Sequence, residues 1–283
     1  TDVSLFLHGM GLPVMEESAH CTDSAQIMAF AEKIRQKRSH LPFDIDGIVV
    51  KLNRFSALLA VGETGKSPRW AIAYKFAAER AQTKIRSITI QVGRTGVLTP
   101  VAELEPVLVA GSRISRATLH NAEEVYRKDI REGDTVFLEK GGDVIPKITE
   151  VILEKRPSEA IPWKMAKFCP CCGATVVQLE GEVAVRCPNE KGCKEQIFRR
   201  LLYLTTRDAL QIDHLGEKIL RQLFEKGFVV SPADLYRLRT EDLQQMTGFK
   251  EKSIQNLLQS LEKSKKTTLS RFIMALGIKY VGA

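Results

Sequence analysis

The stretches Asp44-Ile45-Asp46-Gly47-Ile48-Val49-Val50-Lys51 and Ser67-Pro68-Arg69-Trp70-Ala71-Ile72-Ala73-Tyr74-Lys75 share one form, a short β-rich apolar run that ends in a lysine. Each is expected to be a strand that buries most of its length and presents an ammonium where the chain leaves the core. Two such cations converging on one cleft suit a phosphate, because phosphoryl and nucleotidyl transfer depend mostly on positioning and charge neutralisation. Lysine serves as a compact point charge for that purpose. A single string would also fit an ordinary strand with a solvated lysine at its end. The pair, in this order and followed by what comes next, favours the phosphate site.

Five of the six cysteines fall between Cys169 and Cys193. Cys169-Pro170-Cys171-Cys172-Gly173 offers one C-x-x-C pair, and Cys187 and Cys193 offer a second after fourteen intervening residues. That spacing predicts a zinc ribbon, with a β-hairpin through Val176, Val177, Val183 and Val185 bringing the pairs face to face. Cys171 competes with Cys172 for the first knuckle, and the two-residue spacing to Cys172 is the better geometry. With no histidine in the segment, four thiolates (Cys169, Cys172, Cys187, Cys193) are expected, which makes the site structural. Disulfides are the competing explanation, and a reducing compartment disfavours them. Cys21, far from the cluster, reads as a buried free thiol.

Between Thr83 and Ile152 apolar residues alternate, as in Ile88, Ile90 and Val92 or Val136 and Leu138, with Gly93, Gly96, Gly111 and Gly133 as punctuation. A small antiparallel barrel is expected, with one helix around Asn121–Ile130. From Arg199 onward the pattern is helical, and Gly216, Gly248 and Gly282 recur 32 and 34 residues apart. A period of that length marks repeated supersecondary units. Around Gly216 and Gly248 a turn opens a basic amphipathic helix, so backbone and free amides there can approach a phosphate without reading sequence. A plain helical bundle with glycine caps is the alternative.

The 283 residues allow two or three domains, with a net charge of +8. Six of the eight excess charges lie in residues 199–283, where 15 Lys and Arg face 9 Asp and Glu. A basic excess confined to one segment points to a polyanion there. The sequence holds no apolar run of membrane-spanning length and no charged-then-apolar leader, which is expected of a soluble, cytoplasmic protein. It starts at Thr1 and stops inside the third glycine repeat, as expected of an internal piece of a longer protein.

Asp46-Gly47-Ile48-Val49-Val50-Lys51 and Lys75 resemble the fourth and fifth motifs of the covalent nucleotidyltransferases, the polynucleotide ligases and RNA-capping enzymes. Lysine strings, barrel, four-cysteine ribbon and helix-hairpin-helix repeats, in that order, resemble bacterial NAD-dependent DNA ligase over essentially the whole chain. The resemblance implies a multidomain α+β fold. Its expected parts are the end of an ATP-grasp-like nucleotidyltransferase (adenylation) domain at 1–78, an OB-fold barrel at 79–155, a four-cysteine zinc finger at 156–198 and a truncated helix-hairpin-helix domain at 199–283. It further implies a monomeric, cytoplasmic, nucleoid-associated replication and repair enzyme that seals nicks in duplex DNA through enzyme-adenylate and DNA-adenylate intermediates. NAD (as bound NAD or AMP), zinc, and magnesium or manganese are the implied cofactors.

By the same resemblance Lys51, Lys75 and Asp46 are catalytic, Lys51, Lys75, Gly47 and Arg38 hold the nucleotide, and Arg94, Thr95, Lys140, Val144, Ile145, Gly216 and Gly248 meet DNA. The position of Lys140 is more often arginine in that family. Lys-x-Asp-Gly, which supplies the family's lysine nucleophile, occurs nowhere in the sequence. The chain alone is therefore expected to bind DNA without adenylating itself. Two other classes compete: a non-catalytic zinc and helix-hairpin-helix DNA-binding repair module, which leaves the lysine strings unexplained, and a nucleotidyltransferase that acts on RNA ends or uses ATP.

Overall fold

The computed structural model describes residues 2–15, 17–65, 67–140, 145–278 and 281. Two compact units emerge, one of Thr1–Gln82, Val107–Ile114 and Leu138–Lys147, the other of Thr83–Pro106, Ser115–Phe137 and Ile148–Ala283. The division passes through strands of a barrel.

The first unit begins with α1 (Asp2–Gly9) and α2 (Ser24–Lys37). Asp23 caps α2 by accepting a hydrogen bond from the Gln26 amide at 2.8 Å. Next come β1 (Gly47–Lys51), α3 (Phe55–Val61) and β2 (Ala71–Lys75). The two lysine strings are indeed strands, and they pair with each other antiparallel, Gly47 opposite Lys75 and Lys51 opposite Ala71. They do not bury most of their length: Val49 is 59% exposed, Ile72 69% and Tyr74 40%. The reason is that, among the described residues, the ribbon has two strands and α2 packs on β1, so little covers its faces.

The barrel runs through β3 (Glu79–Val92), β4 (Leu98–Val109), β5 (Ser112–Thr118), β6 (Thr135–Lys140) and β7 (Lys147–Val151), closed in the order β3-β4-β5-β7-β6. α4 (Ala122–Arg127) lies inside the span expected to be helical, capped by Asn121, which accepts from the Glu124 amide at 2.8 Å. Closure removes the free strand edges that an open sheet would expose. In the second unit β3 and β4 pair from Ile85↔Leu104 to Val92↔Leu98, with a bulge between Ile85 and Ser87. Ile85, Ala102, Leu104 and Val136 are each at most 2% exposed, while Leu98 packs with Val92 against the cysteine cluster.

The zinc-ribbon segment holds the expected hairpin in short form, β8 (Val177–Gln178) against β9 (Val185–Arg186). Helices α5 (Lys194–Thr205), α6 (Glu217–Glu225), α7 (Pro232–Leu235), α8 (Thr240–Gln244), α9 (Glu251–Ser264) and α10 (Leu269–Ala275) follow. Their apolar faces form one core around Phe198, Leu220, Leu223, Leu235, Leu243 and Leu257, all fully buried. Among the described residues no helix is long and apolar enough to cross a membrane.

Candidate nucleotide face, metal centre and nucleic-acid surface

On the lysine ribbon, residues directly opposite one another share a face, so Lys51, Val49, Gly47, Ala71, Ala73 and Lys75 lie on one side. Lys51 and Lys75 nevertheless stand at opposite ends of it, four residues or about 14 Å apart along the strands. The ribbon thus presents one shared face with a cation at each end. The antiparallel register dictates this, because each lysine is the last residue of its own strand.

At the Lys75 end the expected residues do meet. Lys75 Nζ donates to Asp46 Oδ2 at 2.8 Å. That bond, and more weakly the nearby Arg38, hold the Asp46 carboxyl below its usual range. Arg38 is itself paired to Glu79 at 3.0 Å. Gly47 packs directly on the Tyr74 and Lys75 backbone, where a Cβ would collide. Arg38, Asp46, Gly47 and Lys75 thus form one cluster.

The metal centre is compact. The sulfurs of Cys169, Cys172, Cys187 and Cys193 all lie within 4.8 Å of one another, with 3.5 Å between Cys172 and Cys187 and 4.0 Å between Cys169 and Cys193. A tetrahedral zinc with ligands near 2.3 Å would separate its sulfurs by about 3.8 Å, and a disulfide would hold them near 2.05 Å. Cys171 is exposed and outside the cluster, which resolves the knuckle in favour of Cys172.

Local backbone builds each half. The Gly173 amide bonds the Cys169 carbonyl at 2.9 Å with Gly173 at φ 72°, and the Cys193 amide bonds the Asn189 carbonyl at 3.0 Å. Cys193 caps α5, where the helix dipole favours a thiolate. The Ala174 amide draws the Cys172 thiol down to about 7, whereas burial pushes Cys187 up to about 12. Buried sulfurs this close become thiolates together only around a cation, and the donor set fits zinc.

The turn from β3 to β4 is docked on this centre. The Gly96 carbonyl accepts from the Cys187 amide at 2.9 Å, and a Cβ on Gly96 would lie 2.5 Å from the Cys187 carbonyl. The Gln196 amide group donates to the same carbonyl at 3.1 Å. Neither Gly96 nor Gln196 stood out from the cysteine pattern, and Gly96 read only as punctuation between strands. Arg94 stacks on the Tyr203 ring at 3.6 Å, while Thr95 is exposed. These two belong to the second unit. Lys140, whose Nζ donates to Ser112 at 2.6 Å, and Ile145, 64% exposed, belong to the first, and Val144 lies outside the described residues.

Gly216 caps α6 at φ −75°, a conformation open to any residue, whereas Gly248 lies at φ +85° ahead of α9. Neither has an atom within 4 Å of an added Cβ, which leaves room for an approaching oxygen. Gly282, the third of the series, lies outside the described residues.

A closed barrel docked on a four-cysteine ribbon and followed by glycine-punctuated helical repeats is an architecture of nucleic-acid-handling proteins. Comparison with known proteins gives the family. Residues 1–79 match the NAD-dependent DNA ligase adenylation domain, 82–160 its OB-fold domain and 168–194 its C4 zinc finger domain, and 206–263 match a SAM-like helix-hairpin-helix tandem. The chain is 57% identical over 99% of its length to a DNA ligase of Protochlamydia amoebophila, covering 42% of that protein. It is 48% identical over 96% of its length to a DNA ligase of Chlamydia caviae and 46% over 98% to one of Halalkalibacterium halodurans, covering 41% of each. The chain belongs to the NAD-dependent DNA ligase family, and it spans about 42% of the length of the relatives it matches.

Proposed function

We propose that this chain supplies the phosphate-neutralising face and the duplex-holding surface of an enzyme that seals nicks in DNA, joining a 3′-hydroxyl to a 5′-phosphate through enzyme-adenylate and DNA-adenylate intermediates. The observation that carries the proposal is the ribbon face bounded by Lys51 and Lys75, with Asp46 paired to Lys75 and Arg38 nearby. On this reading both lysines contact the adenylate phosphate of NAD or AMP, and Lys75 is released from Asp46 as the phosphate arrives. Developing negative charge is then met by fixed cations rather than by water that must reorganise. Asp46 is the carboxylate that would hold magnesium or manganese, which supplies Lewis-acid charge when bound.

Zinc on Cys169, Cys172, Cys187 and Cys193 fixes the β3–β4 turn, so Arg94 and Thr95 are aimed by the metal centre. Gly216 and Gly248 admit backbone phosphates, and the family resemblance supports Lys140, Val144 and Ile145 as further DNA contacts. The domain bounds we propose are 1–78, 79–155, 156–198 and 199–283.

The sequence contains no Lys-x-Asp-Gly string, so this chain alone binds DNA without forming the covalent adenylate. Incubation with NAD labelled in its adenylyl group, followed by denaturing electrophoresis, tests this. No labelled band is expected at 31.7 kDa. A labelled band would show that another lysine serves as nucleophile.

A further inference from the structure

A cavity of about 810 Å³ opens in the second unit among α5, α7, α10 and the β3–β4 turn. That size takes a drug-sized molecule. Leu201, Leu204, Val230, Phe272 and Leu276 give it apolar walls, and Tyr203 and Tyr236 add aromatic ones. Its charged lining is Arg94, Lys191, Arg200 and Lys265, with no Asp or Glu among the described lining residues. Lys265 reaches Glu262 and Arg200 reaches the Glu190 carbonyl, both outside that lining.

Arg94 is the unusual group. Its guanidinium sits over the Tyr203 ring, and Nη1 is buried without a hydrogen-bond partner among the described residues. Gly277 makes the fit possible, since a Cβ there would sit 3.0 Å from that same nitrogen. A buried, charged N–H with no acceptor is a costly arrangement, and an acceptor brought by a ligand would relieve it.

We propose that this cavity binds a small organic anion. One acidic head group accepts from Arg94 Nη1, and an aromatic or branched body fills the apolar space between α5 and α10. A DNA backbone satisfies only the first requirement, because its sugar and phosphates gain nothing from aliphatic walls. The site is separate from the ribbon face and does not depend on the reading of that face.

The test is a fluorescence titration of the intact, zinc-loaded chain with 8-anilinonaphthalene-1-sulfonate, alongside its neutral counterpart N-phenyl-1-naphthylamine. One equivalent of the sulfonate should bind. Arg94→Met should weaken the sulfonate about tenfold or more, the effect of losing a hydrogen bond to a charged group, and leave the neutral probe unchanged. Lys191→Glu, at the exposed rim, should weaken the sulfonate several-fold with the same selectivity, so the proposal stays testable if Arg94→Met fails to fold. Ala233→Trp should obstruct both probes. Equal effects on both probes in the two charge variants would overturn the proposal. So would failure of a full-length ligase to bind the sulfonate that this chain binds, because another part of that protein would then occupy the cavity.

Discussion

The lysine ribbon and the helical repeats solve opposite problems. Among the described residues of 1–82 only Ala31 and Ile34 are buried hydrophobics, and the ribbon keeps Val49, Ile72 and Tyr74 in solvent. Among its described residues the helical segment packs eighteen buried ones into one continuous core, with a metal centre at its entrance. The ribbon has charges arranged for chemistry and little packing of its own. The helices have packing, and carry Gly216 and Gly248 on that packed core. Substitutions in the ribbon should therefore alter activity at constant stability, whereas substitutions around the cysteines should alter stability first.

The largest effect is expected at the metal. The chain should carry one zinc, and Cys187→Ser together with Cys193→Ser should abolish binding and unfold residues 160–198, since thiolate–zinc binding supplies much of the folding free energy of such modules. Metal analysis and circular dichroism read this out. Zinc retained by the double variant would break the four-cysteine assignment.

Next comes the ribbon. In a full-length ligase carrying these residues, Lys51→Ala or Lys75→Ala should each lower nick sealing roughly a hundred- to thousandfold, the usual cost of removing one transition-state charge partner, with an unchanged Tm. Sealing within tenfold of wild type in both would remove the ribbon from the mechanism.

A smaller contrast lies between the two glycines. Gly248→Ala forces a side chain into the left-handed region and should cost about 1–2 kcal/mol, seen as a lowered Tm. Gly216→Ala, at φ −75°, should change stability by less than about 0.5 kcal/mol.

The smallest effect concerns pH. Glu195, bound by Arg221 at 2.7 Å and Arg199 at 2.8 Å, has its carboxyl held below the usual range, with Arg221 the chief cause. A carboxyl depressed in the folded state adds stability above its unfolded value, near 4.3, which is lost as pH falls through the lower folded value. Tm measured between pH 7 and pH 3 should fall at the acid end, and Glu195→Gln should flatten that part of the profile.

Much of this was legible in the sequence because it is local. The C-x-x-C spacing singled out the four sulfurs that meet, alternation announced the barrel, and Asn121 began the expected helix. What escaped is non-local. Apolar composition in Ile48–Val50 and Ala71–Tyr74 suggested burial, but burial needs a partner layer that composition does not specify. The register that separates Lys51 from Lys75 follows from how residues 52–70 return the chain, which no pattern within either strand encodes. The resemblance singled out Arg94 but not the ring it stacks on, because Tyr203 lies far along the chain on another element.

The central claim is that duplex DNA is held by the helical repeats and the adenylate phosphate by the ribbon. It is tested most directly by titrating labelled duplex DNA at several salt concentrations with the intact chain, Lys51→Ala, and Lys250→Gln combined with Lys252→Gln at the exposed start of α9. Five or six neutralised phosphates imply a log–log salt slope of about −5, which Lys51→Ala should preserve and the paired lysine variant should reduce in magnitude by about two. A slope unmoved by the paired variant, or strongly reduced by Lys51→Ala, would contradict the division of labour.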